Sequence, residues 1–352
     1  MQRPLFFSVL LLAMVCGGAA RSTAEETVKV FLLAGQSNME GKASNELITH
    51  QATDEKTREQ FAHLRSGEEW KVRDDVFIKF LERSGGLTIG YGSPGRTGPE
   101  LEFGHLMGEH FKEPVLLIKA AWGGHSLYQK FRPPSAGLPA EDLLAAELEQ
   151  ARIRVTKDNE KQKRTNPLPT MEDIKADYGS SYRAMLEEVA DTSAQYATLF
   201  PALQGRNLEM TGFVWFQGFN DMLSAQASAE YASNLRHLIT DVRKDLGKPN
   251  LPFVIAAIGN NGSKPAEKGL LTVQNAQLSM NDVAGFKGNV KAFRTDVLVD
   301  RAAEALFPNW KEHFEAWKLV GSDRPYHYFG SAIWYTRIGH GMGEAMLELL
   351  RR

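Results

Sequence analysis

Four runs of seven or eight residues are almost wholly apolar, at 28–34 (VKVFLLA), 115–121 (VLLIKAA), 210–216 (MTGFVWF) and 251–258 (LPFVIAAI), and a weaker one lies at 290–293. Runs of this length, rich in Val, Phe, Leu and Ile and lacking strict in-out alternation, read as strands buried on both faces. Between them the spacing turns helical. Over 229–246 the apolar residues fall at 231, 235, 238, 239, 242 and 246, one face of a helix, with Gly247 and Pro249 to end it. A second helix is expected from Pro99 and Glu100 through His110, since proline near the amino end costs no hydrogen bond. Strands alternating with helices predict a mostly parallel central sheet covered on both faces, a single three-layer α/β/α sandwich. The charged and Gly-rich stretch 53–95 and the Pro-rich, charged stretch 126–182 fit this pattern poorly and read as insertions over the sheet rim.

Composition narrows the possibilities. The 352 residues carry a formal net charge of −2 and no basic run, which removes the electrostatic case for nucleic acid or an anionic membrane. Residues 1–24 have Arg3, an apolar stretch over 5–15 and small residues at 17–20, the pattern of a signal peptide cleaved after Ala20 or Ala24. A secreted or periplasmic protein with no membrane segment after cleavage is expected. Cys16, the sole cysteine, falls in that leader, so the mature chain would have neither disulfide nor catalytic thiol. The oligomeric state is not encoded in any pattern here.

Chemistry concentrates directly after the first strand, in Gly35-Gln36-Ser37-Asn38-Met39-Glu40-Gly41. Open α/β sheets place their sites at the carboxyl ends of strands, so Ser37 fits either a nucleophile at the sheet rim or a plain polar strand-to-loop turn. Four further blocks follow in order: GPELEFG at 98–104, KAAWGG at 119–124, VWFQGFND at 214–221 and YHYFGSAIWYTRIG at 326–339. Together with GQSNMEG these resemble the SGNH (GDSL-like) hydrolases, in the branch of sialate O-acetylesterase-like and carbohydrate esterase family 6 proteins. The similarity runs from about residue 28 to 350.

The resemblance implies a serine esterase removing acetyl groups from O-acetylated carbohydrate, without cofactor or metal. It points to Ser37 as nucleophile, His327 as base and Asp323 as the acid orienting it. Among nine histidines, His125 and His340 are the alternatives to His327. The family acid usually precedes the histidine by three residues; here the separation is four, with Pro325 inside, and Asp296, Asp300 or a Ser–His pair without acid are the alternatives. For the oxyanion the resemblance implies backbone N–H groups of Ser37 and of Gly123 or Gly124, plus a side-chain amide. The general pattern Gly-x-Asn-Asp selects Asn220, whereas the carbohydrate-esterase pattern Trp-x-Gln-Gly-Glu-x-Asp selects Gln217 and has Phe219 where Glu is expected. Gln36, Asn38, Trp122 and Phe219 are the candidates for substrate contact, the aromatic rings as faces for a pyranose. Asp221 either braces its loop or touches substrate. A non-catalytic carbohydrate-binding protein, or an esterase of lipids or thioesters, would share the same blocks.

Three other signals carry less. Residues 90–95 (GYGSPG) spell a dinucleotide-binding glycine pattern, but Pro94 interrupts it and no strand-to-helix turn surrounds it. No His-Glu-x-x-His, Cys/His cluster or EF-hand pattern occurs. Asn261-Gly262-Ser263 is a glycosylation sequon by letter.

Overall fold

In the computed structural model, which describes residues 27–351, seven strands form one sheet. They are β1 (Thr27–Gly35), β2 (Val76–Phe80), β3 (Arg83–Gly86), β4 (Val115–Ala121), β5 (Asn207–Phe216), β6 (Phe253–Ala257) and β7 (Val290–Arg294). The order across the sheet is β7-β6-β5-β1-β4-β2-β3, and every pairing is parallel except β2 with β3. The expected signal peptide and Cys16 lie outside the described residues.

Six longer helices matter here: α1 (Glu100–His110), α2 (Glu141–Gln162), α3 (Ser180–Leu199), α4 (Ala225–Asp245), α5 (Lys268–Leu278) and α6 (Ala332–Leu350). On one face Phe31, Leu33, Leu117, Phe216 and Ala256 meet Leu101, Phe103 and Met107 of α1 and Trp334, Ile338 and Met342 of α6. On the other, Leu32, Ile118, Trp215 and Ile255 meet Met185 of α3, Leu235, Leu238 and Val242 of α4, and Val273 of α5. Successive residues of a strand feed opposite faces, so continuous apolar runs build two cores and hence three layers.

Two departures from the sequence reading concern the supposed insertions. Within 53–95, the segments Val76–Phe80 and Arg83–Gly86 are sheet strands, the first pairing with β4 from Val76↔Val115 to Phe80↔Lys119. Residues 126–182 hold α2, and a small cluster of Leu144, Ala151, Ile174 and Tyr178 packs there apart from the two main cores.

The strand order sets the site. From β1 the chain crosses to one side for β2, β3 and β4, then passes to the other side for β5. The loops leaving β1, β4 and β5 therefore diverge at the carboxyl edge of three adjacent strands, where such sheets open a crevice.

Candidate active site

Ser37 opens a single helical turn, Ser37–Glu40, immediately after β1. The first bond of that turn runs from the Glu40 N–H to the Gln36 carbonyl, so the Ser37 amide is outside the helical ladder. Gly35 permits the tight exit: a Cβ there would lie 2.1 Å from the Phe216 carbonyl oxygen of β5.

His327 arrives from the other end of the chain, 290 residues away, and its Nε2 lies 3.0 Å from Ser37 Oγ. The segment that carries it is strained and pinned. Tyr328 and Phe329 both have positive φ, +53° and +59°, a conformation costing roughly 1–3 kcal/mol per non-glycine residue. What holds them is burial and bonding. The Tyr328 hydroxyl accepts from the Gly259 N–H (2.8 Å) and shares a hydrogen bond with Thr295 Oγ1 (2.8 Å), while Phe329 packs on Phe307 and Trp334. The imidazole itself lies nearly parallel to the Phe219 ring, 6.3 Å between centroids and 20° between planes.

Burial, with the nearby Lys42 and Arg324 cations, pulls the His327 pKa down to about 4. The imidazole is thus neutral at neutral pH and able to accept a proton. Its Nδ1 is buried without a hydrogen-bond partner.

The expected acid is not there. Asp323 directs Oδ1 to Arg96 Nη2 at 2.5 Å and lies 3.6 Å from Arg324, with over half its side chain exposed. The His327 N–H donates to the Arg324 carbonyl, closing a turn through Pro325 and Tyr326 that leaves the carboxylate outside. Asp296 pairs with Arg294, and Asp300 caps the helical turn at Arg301 and accepts from Ser331 Oγ (2.6 Å). Neither alternative acid bonds to His327. The rival histidines are occupied elsewhere: His125 Nδ1 bonds Ser181 Oγ (2.6 Å), and His340 Nδ1 bonds Glu102 (3.0 Å).

The side-chain amides separate cleanly. Asn220 lines the cavity at Ser37, whereas Gln217 is buried beneath it. Gln217 Nε2 donates to Asp221 Oδ2 (2.5 Å), Gln36 Oε1 (3.1 Å) and the His125 carbonyl (3.1 Å), and its Oε1 accepts from the Tyr231 hydroxyl (2.8 Å). Every polar function of Gln217 is spent inside the fold. Gln36, fully buried, accepts from the N–H groups of Gly218 and Asn220, which makes it a support for Asn220 rather than a substrate contact. Asn38 is buried and accepts from the Tyr335 hydroxyl (3.3 Å).

Asp221 braces its loop. Its two oxygens take the N–H groups of Leu127 (2.9 Å) and Tyr128 (2.8 Å). Complete burial raises its pKa to about 6, and those bonds, with Gln217, work against the rise.

After β4, the Gly123 N–H points at Glu40 Oε1 (2.6 Å) and is not free for an oxyanion. Gly124, at φ +82°, lines the cavity. Trp122 does not line it: the ring stacks on His125 (6.2 Å, 20°) and packs on Phe131. Phe219 does.

The cavity, about 650 Å³ and open to solvent, has a wall that the motifs did not reveal: the polar Lys42, Ser93, Arg96 and Arg324, with the apolar Pro94 among them. Glu40 organises it, accepting from Lys42 (2.5 Å) and Ser93 Oγ (2.9 Å) as well as Gly123. Burial works against the Glu40 charge, but Lys42, Ser93 and the Gly123 amide outweigh it and hold the carboxyl below its ordinary range. Glu40 stands inside the GQSNMEG block, and Ser93-Pro94 inside the glycine-rich segment, so both were visible as letters but not as neighbours.

The chain matches the family model described as "Carbohydrate esterase, sialic acid-specific acetylesterase" over residues 27–163 and 170–300. His327 lies beyond the matched residues. A probable carbohydrate esterase of Arabidopsis thaliana is 35% identical over 54 residues, 15% of this chain, so the match spans about a fifth of that relative's length (21%). The solved structure of that Arabidopsis protein superposes with a TM-score of 0.50 at 16% identity, covering 91% of this chain and 97% of the other, a likeness of fold. A carbohydrate acetylesterase from Xanthomonas citri gives a TM-score of 0.44 at 15% identity, over 90% of this chain and 55% of that one.

Proposed function

Since the chain belongs to the sialic acid-specific acetylesterase family of carbohydrate esterases, we propose that it is a secreted or periplasmic serine esterase that removes acetyl groups from O-acetylated carbohydrate through Ser37 and His327. The observation that carries this reading is the 3.0 Å contact between Ser37 Oγ and His327 Nε2 at the floor of the cavity.

Ser37 Oγ attacks the acetyl carbonyl carbon while His327 Nε2 takes the hydroxyl proton. The oxyanion that forms is met by the N–H groups of Ser37 and Gly124 and by the side-chain amide of Asn220, uncharged donors placed where negative charge develops. Collapse of the tetrahedral intermediate breaks the bond to the sugar oxygen, which takes the proton from His327. Water then attacks the acetyl-enzyme as His327 accepts its proton. The second tetrahedral intermediate collapses, the bond from Ser37 Oγ to the acyl carbon breaks, and Oγ takes the proton back from His327. The acetyl group leaves as acetic acid, which ionises to acetate. With Nδ1 unpartnered, the imidazolium formed in each half-reaction has no carboxylate to support it, and the Phe219 ring beside it serves to hold the imidazole plane.

A polar wall of Lys42, Ser93, Arg96, Asn220 and Arg324 suits a sugar better than an acyl chain and disfavours a lipid substrate. A non-catalytic binding protein would have no need of a neutral imidazole at hydrogen-bond distance from the serine. The test is acetate release from a panel of acetylated glycans and from a chromogenic acetate ester. Ser37→Ala should abolish both, and a rate equal to wild type would refute the assignment.

A further inference from the structure

Lys119 is the only charged residue of β4, a strand buried along its whole length, and its side chain has no solvent exposure. It sits in the core layer beside the Phe80 ring, 4.5 Å from ammonium to centroid. A lysine ammonium has three N–H donors, and three acceptors surround this one at 2.8 Å: Glu100 Oε2, the Glu40 carbonyl and the Tyr91 carbonyl. Burial lowers the pKa of this lysine, and the adjoining Glu100 carboxylate opposes that shift.

A buried ion pair alone gives a fold little that apolar residues would not, because desolvation offsets the attraction. The two carbonyl bonds are another matter. Glu40 ends the helical turn that Ser37 begins, and Tyr91 belongs to the 90–97 segment that carries Ser93, Pro94 and Arg96 to the cavity wall. Higher up, the Glu40 carboxylate ties the same turn to Ser93 and to the Gly123 amide. The nucleophile turn is thus clamped from two sides, through its carbonyl below and its carboxylate above. Only the lower clamp is hidden from substrate.

We propose that Lys119 is a positioning residue for the hydrolysis: its buried ammonium joins the nucleophile turn to the 90–97 wall and so keeps Ser37 in line with His327. The proposal rests on the esterase reading, and it assigns Lys119 no contact with substrate. A misplacement of about 1 Å at a reacting atom costs on the order of 10²-fold in rate, so the effect belongs to kcat.

The experiment uses Lys119→Met with Glu100→Gln, which removes both charges while leaving an amide oxygen to accept the Gly98 N–H now bonded to Glu100 Oε1 (2.9 Å). With the Glu40 and Tyr91 carbonyls left without a donor the melting temperature should fall. In assays run well below it, kcat on an acetate ester should fall on the order of 10²-fold while KM changes by less than about threefold. Wild-type kcat in this double variant overturns the proposal. Glu100→Gln alone keeps the lysine and both carbonyl bonds, so it should lose stability yet hold kcat within about threefold; a loss matching the double variant overturns the proposal too, and this arm decides even if the double variant does not fold. The His327 titration followed by NMR reads the site without substrate. It should stay near about 4 in wild type and in Glu100→Gln, and move towards the ordinary histidine value in the double variant as the turn loosens. An unmoved titration there counts against the proposal, whereas a wild-type protein that releases no acetate sinks the esterase reading alone.

Discussion

Replacing Asp323 by Asn separates two mechanisms that the sequence alone cannot distinguish. In a complete Ser-His-Asp triad, neutralising the acid costs on the order of 10⁴ in kcat, because the imidazole loses its tautomer and its stabilising charge. In this protein the carboxylate of Asp323 lies 2.5 Å from Arg96 and, with over half its side chain exposed, makes no bond to His327. An exposed pair of that kind is worth about 0.2–1 kcal/mol, which converts to at most about a fivefold change even if all of it reached the transition state. Released from Asp323, Arg96 still lines the cavity, so any effect should fall on KM more than kcat. Steady-state hydrolysis of a chromogenic acetate ester by wild type, Asp323→Asn and His327→Ala gives the comparison. The expected order is Asp323→Asn within about fivefold of wild type and His327→Ala lower by at least about 10³. A loss of 10³ or more in Asp323→Asn would refute the reasoning, because it would mean that the carboxylate leaves Arg96 and reaches Nδ1 during turnover.

Three further outcomes follow from the same geometry. A base whose pKa is held down to about 4 stays unprotonated as pH falls, so kcat/KM should remain level from neutrality to well below 6 and decline only near 4; an acid limb centred near the ordinary histidine value contradicts the burial argument. Asn220→Ala should lower kcat by about 10²-fold with little change in KM, as loss of one oxyanion donor does, whereas Gln217→Leu should act mainly on melting temperature; the reverse pattern would exchange their roles. Asp221→Asn cannot accept both the Leu127 and Tyr128 amides and should cost about 1–3 kcal/mol of stability, read by thermal denaturation, and an unchanged melting point would show that the loop is held by other means.

Much of the fold was legible because burial on both faces leaves a mark that survives without context. The runs at 28–34 and 115–121 sit within or coincide with β1 and β4, and the one-face spacing of 229–246 lies in α4 apart from its final residue. Val76–Phe80 escaped notice because five residues amid charges and glycines give too short a pattern to outweigh their surroundings. Helix α2 does carry an apolar stripe at Leu144, Leu148, Ala151 and Val155, but the stripe is narrow, covers only a small cluster, and stands in a stretch dominated by charges and prolines.

At the site, the block order brought Ser37 and His327 to attention, and the structure places them in contact. Spacing could not decide which way Asp323 would turn, since that depends on Arg96, 227 residues earlier. Nor could it separate Gln217 from Asn220. The difference lies in Asp221, Gln36 and Tyr231, which together consume the hydrogen-bonding capacity of Gln217 and leave Asn220 facing the cavity.

Exposure of the protein to an organophosphate ester, followed by peptide mass spectrometry, asks the most direct question of all. One phosphoryl group on Ser37 of the wild type, formed slowly or not at all in His327→Ala, is the expected result. Labelling at a different residue, or equal labelling of Ser37 without the imidazole, would mean that these two side chains do not work as nucleophile and base.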